Sequence, residues 1–134
     1  FGSGSKQLQR PMILKCIVTL TLAAGLYAEP PRLQRKAPHQ LGRAVWYGLQ
    51  FHGQMTASGE IYDMFSLTAA HRELPLGSVV KVTNLTNERA IIVRINDRGP
   101  FGNAHRIIDL SYAASRYLGM HRSGHAPVRL ERIQ

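Results

Sequence analysis

The sequence has little cysteine, few aromatic residues and few long apolar runs. The lone cysteine, Cys16, excludes both an intrachain disulfide framework and a thiolate metal site. One tryptophan, five tyrosines and four phenylalanines must serve the core and any ligand surface together. Glycine and proline are plentiful and most apolar runs are short, which favours short strands and turns over long helices.

Acidic residues are also scarce: eight stand against seventeen lysines and arginines, for a net charge of +9. A basic surface favours polyanions such as nucleic acid, anionic lipid or an anionic cell-wall polymer. The basic residues are scattered singly after residue 32 and form no dedicated arm, so we predict no nucleic-acid partner. A nucleic-acid-binding barrel stays as an alternative, and its binding would fall steeply with salt.

The N-terminal third of the chain is expected to lie outside the folded domain. Residues 1–11 resemble a tag or upstream leader. Residues 12–28 have the pattern of a signal peptide, with Lys15 before an apolar run and cleavage near Ala28. That run is shorter than the roughly 20 residues of a membrane span, so we expect export to the periplasm or envelope without stable membrane insertion. An N-terminal anchor is the alternative. Residues 29–40 are predicted to be a disordered linker, and residues 41–134 the domain.

Six short strands are predicted in the domain, within residues 43–48, 67–71, 78–84, 89–96, 107–110 and 127–132. Ser111 has the character of a helix N-cap, and the helix that follows should end at Gly119. An open sheet of short strands would leave edges that need protection. The pattern therefore predicts a mainly β fold, a closed six-stranded barrel with one short helix.

Residues 91–100 (IIVRINDRGP) combine a strand with a potential site. Alternation along the strand predicts two faces, with Ile91, Val93, Ile95 and Asp97 on the interior face and Arg94, Asn96 and Arg98 on the other. The glycine and proline at 99 and 100 end the strand. The carboxyl group of Asp97 is thus expected at the mouth of the barrel interior. It forms either a reactive site or a turn cap that accepts backbone amides near Gly99.

Several motifs occur in an order that resembles the rare lipoprotein A family: WYG at 46–48, FHG at 51–53, TASGE at 56–60, TAAH at 68–71, LPLG at 74–77 and NDRGP at 96–100. The resemblance covers residues 43–133. It implies a double-psi β-barrel and an endolytic lytic transglycosylase that cuts peptidoglycan glycan strands lacking stem peptides, leaving 1,6-anhydromuramyl ends. We predict no cofactor and a monomer, with glycan strands as partner and envelope or division proteins as further candidates.

Two departures from the family pattern bear on localisation. The family's lipid-attachment cysteine follows the apolar run of the signal, whereas Cys16 precedes it, so we expect no lipidation. Many members carry a C-terminal peptidoglycan-binding SPOR module. The sequence reaches Gln134 without one, and we expect recruitment to depend on the barrel or on a partner.

The lytic reaction needs only one carboxyl group, because the muramyl 6-hydroxyl attacks its own anomeric carbon. We predict Asp97 as the general acid/base, which protonates the departing oxygen and then accepts the hydroxyl proton. By resemblance His71 orients this acid or the sugar; a satisfied core histidine is the alternative. Glu60 is the third catalytic candidate, a loop carboxylate that contacts sugar or repels the acid's charge. A solvated loop acid is its alternative.

Four aromatic residues could offer ring faces to sugar, namely Trp46, Tyr47, Phe51 and Tyr62, and Tyr47 is favoured as the ring platform. Ser58 and Thr68 from the shared motifs are further candidates for binding the glycan. Asn96, Arg98 and Arg106 are candidates for muramyl carboxylates, and ordinary surface residues are the alternative for these three. Trp46 is predicted to pack in the core. The histidines at 121 and 125 have a metal-ligand spacing, but no cysteine or nearby carboxylate completes a site, so we predict no metal. A non-catalytic, expansin-like glycan-binding or wall-loosening module is the main alternative function, since it would keep the same barrel and aspartate.

Overall fold

A computed structural model describes residues 39–134. They form six strands, one α-helix and one 3-10 turn: β1 (His39–Trp46), the 3-10 turn (Leu49–Phe51), β2 (Thr68–Ala70), β3 (Val79–Asn84), β4 (Ala90–Asp97), β5 (Arg106–Leu110), α1 (Tyr112–Tyr117) and β6 (His125–Arg132). The predicted leader and signal peptide, and the linker up to residue 38, lie outside the described residues. Because β1 begins at His39, the barrel starts before the predicted boundary at Leu41, and the last two linker residues belong to a strand.

The six strands close into a barrel in the order β1-β5-β2-β4-β3-β6. The β1–β5 and β2–β4 pairs are parallel, and the other four are antiparallel. Within residues 39–134 closure leaves no unpaired sheet edge, which is the physical advantage that short strands gain from a barrel. The predicted mainly β, six-stranded barrel with one short helix is confirmed.

Alternating apolar residues of the strands fill the barrel. Fully or almost fully buried side chains include Val80, Val82, Val93, Ile95, Ile108, Leu110, Val128 and Leu130. Burial of each such side chain contributes about 1.5–3 kcal/mol. The inward faces predicted for β3 and β6 are confirmed. Ile91 is only partly buried against this core.

Helix α1 begins and ends as its sequence predicts. The Ser111 side chain accepts a hydrogen bond from the Ala114 amide (3.2 Å), which satisfies a donor in the first turn. Gly119 takes a φ of +67° just after the helix, a left-handed conformation that favours glycine. Ala114 and Leu118 are completely buried in the core, so the helix closes one side of the barrel. No helix within residues 39–134 is long and apolar enough to cross a membrane.

Residues 47–66, which we call the covering loop, are tied down by polar contacts. The Tyr62 hydroxyl donates to the Tyr47 carbonyl (2.7 Å), and the Thr56 amide donates to the Glu60 carbonyl (2.7 Å). The Ser58 amide donates to the Asn96 carbonyl at 3.1 Å, which fastens the loop to the end of β4. A groove therefore forms where this loop meets the barrel wall.

Candidate active site

The groove beneath the covering loop holds a cavity of about 290 Å³. Its lining is mostly aromatic and apolar, with three charged residues: Tyr47, Phe51, Gln54, Met55, Thr56, Tyr62, Ala70, Phe101, and the charged Asp97, Arg98 and Asp109. Two carboxyl groups therefore share one concave surface. Such a combination of apolar walls and a few convergent polar groups is typical of ligand sites.

Two β-bulges aim the carboxyl groups into this groove. Ala69 pairs with Ile95 on β4, but the next residue, Ala70, pairs with Asp97, so Asn96 is an extra residue in the strand. A similar irregularity occurs on β5, where the residue pairs of β1 skip from Arg106 to Ile108. Bulges re-aim side chains and are common next to active sites.

The bulge in β4 corrects the predicted orientation of Asp97. Directly paired residues share a face, and Ala69 lies in the core beside Ile95, whereas Ala70 and Asp97 line the groove. Asp97 therefore leaves the interior face and lies on the outer wall of the barrel. Asn96 was predicted to point outward with Arg94, but the same bulge leaves it 2% exposed.

Asp97 is held by main-chain amides. Its Oδ1 accepts hydrogen bonds from the Ala57 amide (3.0 Å) and from the Arg98 amide (2.9 Å). The first contact joins the covering loop to the carboxylate, so loop closure and the position of Asp97 depend on each other. Asp97 thus combines the amide-accepting geometry of a turn cap with a place in the groove.

Asp109 is a groove residue that sequence reasoning missed. It pairs with Ala70 from the opposite side of β2, and its Oδ1 accepts a hydrogen bond from Arg106 Nη2 at 3.2 Å. Burial raises the pKa of Asp109; Arg106 opposes this shift, and Asp97 adds to it. The sequence analysis placed it in the predicted strand of residues 107–110 and assigned it no role, although it is an acid among apolar residues.

His71 lies beside the site, but its ring is bonded within the protein. Its Nδ1 accepts the amides of Glu73 and Leu74 (3.0 Å each), and its Nε2 contacts Gln40 Oε1 at 3.0 Å. The ring is buried, and burial lowers the pKa of His71. Its main-chain amide donates to the Asp97 carbonyl at 3.1 Å. These contacts agree with the alternative that His71 is a buried histidine whose hydrogen bonds are satisfied within the protein. Its main-chain contact helps to position Asp97.

Glu60 is not among the residues that line the groove. Its carboxylate forms a two-pronged ion pair with Arg94, in which Arg94 Nη2 lies 2.8 Å from Oε2. Hydrogen bonding from Arg94 lowers the pKa of Glu60, so it is ionised at neutral pH. The pair connects the covering loop to the outer face of β4, and Glu60 is better placed to hold the loop than to transfer a proton.

The other predicted ligand-binding residues divide into two groups. Tyr47 and Arg98 line the groove, and Arg106 lies in an adjoining cavity. Ser58, Thr68 and Asn96 are not part of the groove lining. The Ser58 hydroxyl contacts Thr56 Oγ1 at 3.0 Å within the loop, and Thr68 and Asn96 are buried.

Tyr47 is the best-placed of the predicted aromatic residues. Its ring stacks on Tyr62 with the ring centroids 4.4 Å apart, and its buried hydroxyl has no hydrogen-bond partner within residues 39–134. Burial, with Asp97, Tyr62 and Asp109 nearby, raises the pKa of Tyr47, so the hydroxyl keeps a proton to donate. Trp46 packs against the core as predicted, and its Nε1 donates to the His121 carbonyl at 3.1 Å.

Apolar side chains at the groove rim extend the surface that a ligand can contact. Phe51, Met55 and Phe101 line the groove while remaining 41%, 74% and 73% exposed. Exposed apolar side chains beside polar ones suit the faces of sugar rings, which carry apolar C–H groups between their hydroxyls.

Comparison with known proteins places this barrel in a family. Residues 39–130 match a family model described as lytic transglycolase. The chain is 52% identical over 103 residues to the endolytic peptidoglycan transglycosylase RlpA of Pseudomonas aeruginosa strain UCBPP-PA14, an alignment that covers 77% of this chain and 30% of that protein. It is 58% identical over 92 residues to RlpA of Vibrio cholerae, covering 69% of this chain and 35% of that protein. The chain thus spans about a third of the length of these relatives.

Solved structures share the fold at lower sequence identity. The Streptomyces papain inhibitor superposes with a TM-score of 0.59 at 23% identity, covering 72% of this chain and 96% of the inhibitor. The expansin of Clavibacter michiganensis gives a TM-score of 0.58 at 19% identity, covering 72% of this chain and 51% of the expansin. These similarities concern the fold alone. The family match and the close relatives confirm the resemblance read from the motifs: the chain belongs to the RlpA-like family of double-psi β-barrel lytic transglycolases.

Proposed function

We propose that this protein is an endolytic peptidoglycan lytic transglycosylase that cleaves the bond between MurNAc and GlcNAc in glycan strands lacking stem peptides. The observation that carries the proposal is the pair of carboxyl groups, Asp97 and Asp109, in different environments of one groove. The names of the close relatives support the same reaction class. A substrate of this kind lies outside the cytoplasmic membrane, so the proposal also requires export of the protein.

The two environments suggest a division of the acid/base work. The raised pKa of Asp109 favours its protonated form, which suits donation of a proton to the departing GlcNAc oxygen. Asp97 is held by two amides, and its Oδ2 accepts no hydrogen bond within residues 39–134. That oxygen is available to the substrate. The sequence-based hypothesis gave both proton transfers to Asp97; we now assign it the acceptance of the hydroxyl proton.

The proposed step needs no water molecule. The bond from the muramyl C1 to the GlcNAc oxygen breaks as Asp109 donates its proton to that oxygen. The muramyl O6 forms a new bond to C1, and its proton passes to the Asp97 carboxylate. The products are a 1,6-anhydromuramyl end and a free GlcNAc hydroxyl. One proton has moved from Asp109 to Asp97, and exchange with solvent restores both groups.

Product analysis tests the proposal. Purified wild type and Asp97→Asn are incubated with sacculi whose stem peptides have been removed by an amidase, and mass spectrometry identifies the soluble ends. The proposal predicts 1,6-anhydromuramyl ends from the wild type and retained binding with little cleavage by Asp97→Asn. Wild type that binds sacculi without releasing any product would instead support the expansin-like binding module. Reducing muramyl ends would indicate a hydrolase.

A further inference from the structure

The groove continues past Asp109 into a second cavity of about 550 Å³. Tyr47, Phe51 and Asp109 line both cavities, so they form one continuous surface. The walls of the second cavity are otherwise aromatic, apolar or uncharged, apart from Arg106. A ligand that enters this cavity therefore meets one cation, and that cation lies beside the proposed proton donor.

The guanidinium of Arg106 is weakly held by the protein. Its Nη2 makes a 3.2 Å hydrogen bond to Asp109 Oδ1, while its Nε is buried and has no partner among residues 39–134. A buried N–H without an acceptor is costly, and this unpartnered Nε does nothing to hold the guanidinium in its place. Arginine presents its donors as a planar fork that matches the two oxygens of a carboxylate. The two outer nitrogens, of which only Nη2 has a partner among residues 39–134, therefore favour a carboxylate ligand.

The second arginine predicted to bind a muramyl carboxylate is already committed to the fold. Arg98 Nη1 donates to the carbonyls of His71 (3.1 Å) and Leu74 (2.7 Å). These contacts hold the segment that follows β2. Of the two arginines at the groove, Arg98 is therefore held by two main-chain contacts, whereas Arg106 is held by a single bond to the acid itself.

We propose, resting on the proposed function, that Arg106 binds the free lactyl carboxylate of a peptide-free muramyl residue and thereby releases Asp109 to act as proton donor. In a strand that carries stem peptides, the same lactyl group is an amide. An amide has no negative charge and competes poorly with Asp109 for the guanidinium. Binding of peptide-free glycan and release of Asp109 from Arg106 then occur together.

The charges around Asp109 support this coupling. It is faced by Arg106 on its own strand, Asp97 on β4, Arg72 after β2 and Tyr47 after β1. Burial raises the pKa of Asp109, and Arg106 is the largest influence in the opposite direction. A ligand carboxylate on Arg106 weakens that influence and brings another negative charge close to Asp109. Both changes favour the protonated acid.

The test compares two forms of one substrate. Amidase-stripped glycan strands carry free lactyl carboxylates, and carbodiimide coupling with ammonia converts these to primary amides on the same strands. Wild type, Arg106→Gln and Arg129→Gln are assayed on both forms by the rate of 1,6-anhydromuramyl release. Arg129→Gln is the charge-matched control, because Arg129 pairs with Glu131 on β6 and lies outside both cavities.

We expect the wild type and Arg129→Gln to prefer the free carboxylate by about tenfold or more in kcat/KM, the size expected for a charge-assisted hydrogen bond. Arg106→Gln should cleave both forms at equal rates. The wild type should also keep its activity to higher pH on the free carboxylate than on the amide, and Arg106→Gln should lose that difference.

The possible results distinguish a failure of the inference about Arg106 from a failure of the proposed function. Equal cleavage of both forms by the wild type overturns the inference and leaves the proposed function intact, and this comparison needs no variant to fold. A preference that persists in Arg106→Gln also overturns it. If the wild type releases no anhydromuramyl end from either form, the proposed function fails and the inference fails with it.

Discussion

Asp97 and Asp109 are neighbours of the same residue, Ala70, on opposite sides of strand β2. Two strand spacings place their backbones about 10 Å apart. Both residues lie on the outer wall of the barrel under the covering loop. The shortest strand of the barrel, β2, therefore lies between the two residues to which we assign the chemistry.

Replacing either carboxyl group with an amide should abolish most of the activity. Asp97→Asn and Asp109→Asn each remove one proton transfer, which contributes about 10²–10⁴-fold to a rate. Initial rates of anhydromuramyl release measure the loss, and sacculus pull-down should show that binding is retained. Glu131→Gln on β6 is a matched control outside the groove. If Asp109→Asn kept full activity, both proton transfers would have to be assigned to Asp97.

The raised pKa of Asp109 predicts how its replacement affects stability. The pKa of Asp109 is higher in the folded protein than its ordinary value of 3.8. The ionised carboxylate therefore destabilises the fold, and this cost appears as pH rises from 3.8 through the pKa of the folded protein. Asparagine has no charge to bury. The melting temperature of Asp109→Asn, relative to the wild type, should therefore increase as pH rises through this window. A relative melting temperature that falls with pH would contradict the burial argument.

Glu60 and Arg94 should act as one unit. If their ion pair holds the covering loop, Glu60→Gln and Arg94→Gln should lower activity by similar factors, and the double variant should lose no more than either. A double-mutant cycle on kcat/KM measures this coupling. If Glu60 instead performs chemistry, Glu60→Gln will be far more damaging than Arg94→Gln.

His71 should position the site through its hydrogen bonds. His71→Ala leaves the Glu73 and Leu74 amides without their acceptor, and we expect a loss of about 1–3 kcal/mol in the free energy of unfolding. The oxygen of His71→Asn can accept the same amides and should restore much of that stability. Denaturant unfolding measures both.

The shape of the pH–rate profile separates positioning from proton transfer. In the positioning role, His71→Asn keeps the shape of the wild-type profile, because the imidazole takes no part in the proton transfers. Loss of one limb of that profile in His71→Asn would show that the imidazole itself exchanges protons. The lowered pKa of His71 also predicts that its contribution to stability is present at neutral pH and is lost as pH falls from its ordinary value of 6.5 through its folded value.

Local sequence rules were sufficient for the parts of the fold that repeat regularly. Val80 and Val82 alternate with outward residues and are buried, and Ser111 caps the helix that Gly119 ends. The closed barrel follows from many short strands that cannot leave their edges open. These features depend on periodicity and capping, which a sequence shows directly.

The site depended on irregularities that alternation does not predict. The extra residue at Asn96 moves Asp97 from the interior to the outer wall, and pairing across three strands brings Asp109 beside it. Neither event has a local signal in the sequence. Glu60 was chosen as a loop carboxylate near a motif, but its partner Arg94 is 34 positions away and could be found only in the folded chain.

The origin of the oxygen at the new chain end separates transglycosylation from hydrolysis. Wild-type protein is incubated with amidase-stripped glycan in water enriched in oxygen-18, and mass spectrometry measures the masses of the new muramyl ends. If the muramyl 6-hydroxyl is the nucleophile, every new muramyl end is a 1,6-anhydro end and carries no label. Labelled reducing ends would show that water attacks the anomeric carbon, and the assignment of Asp97 and Asp109 to a lytic reaction would be wrong.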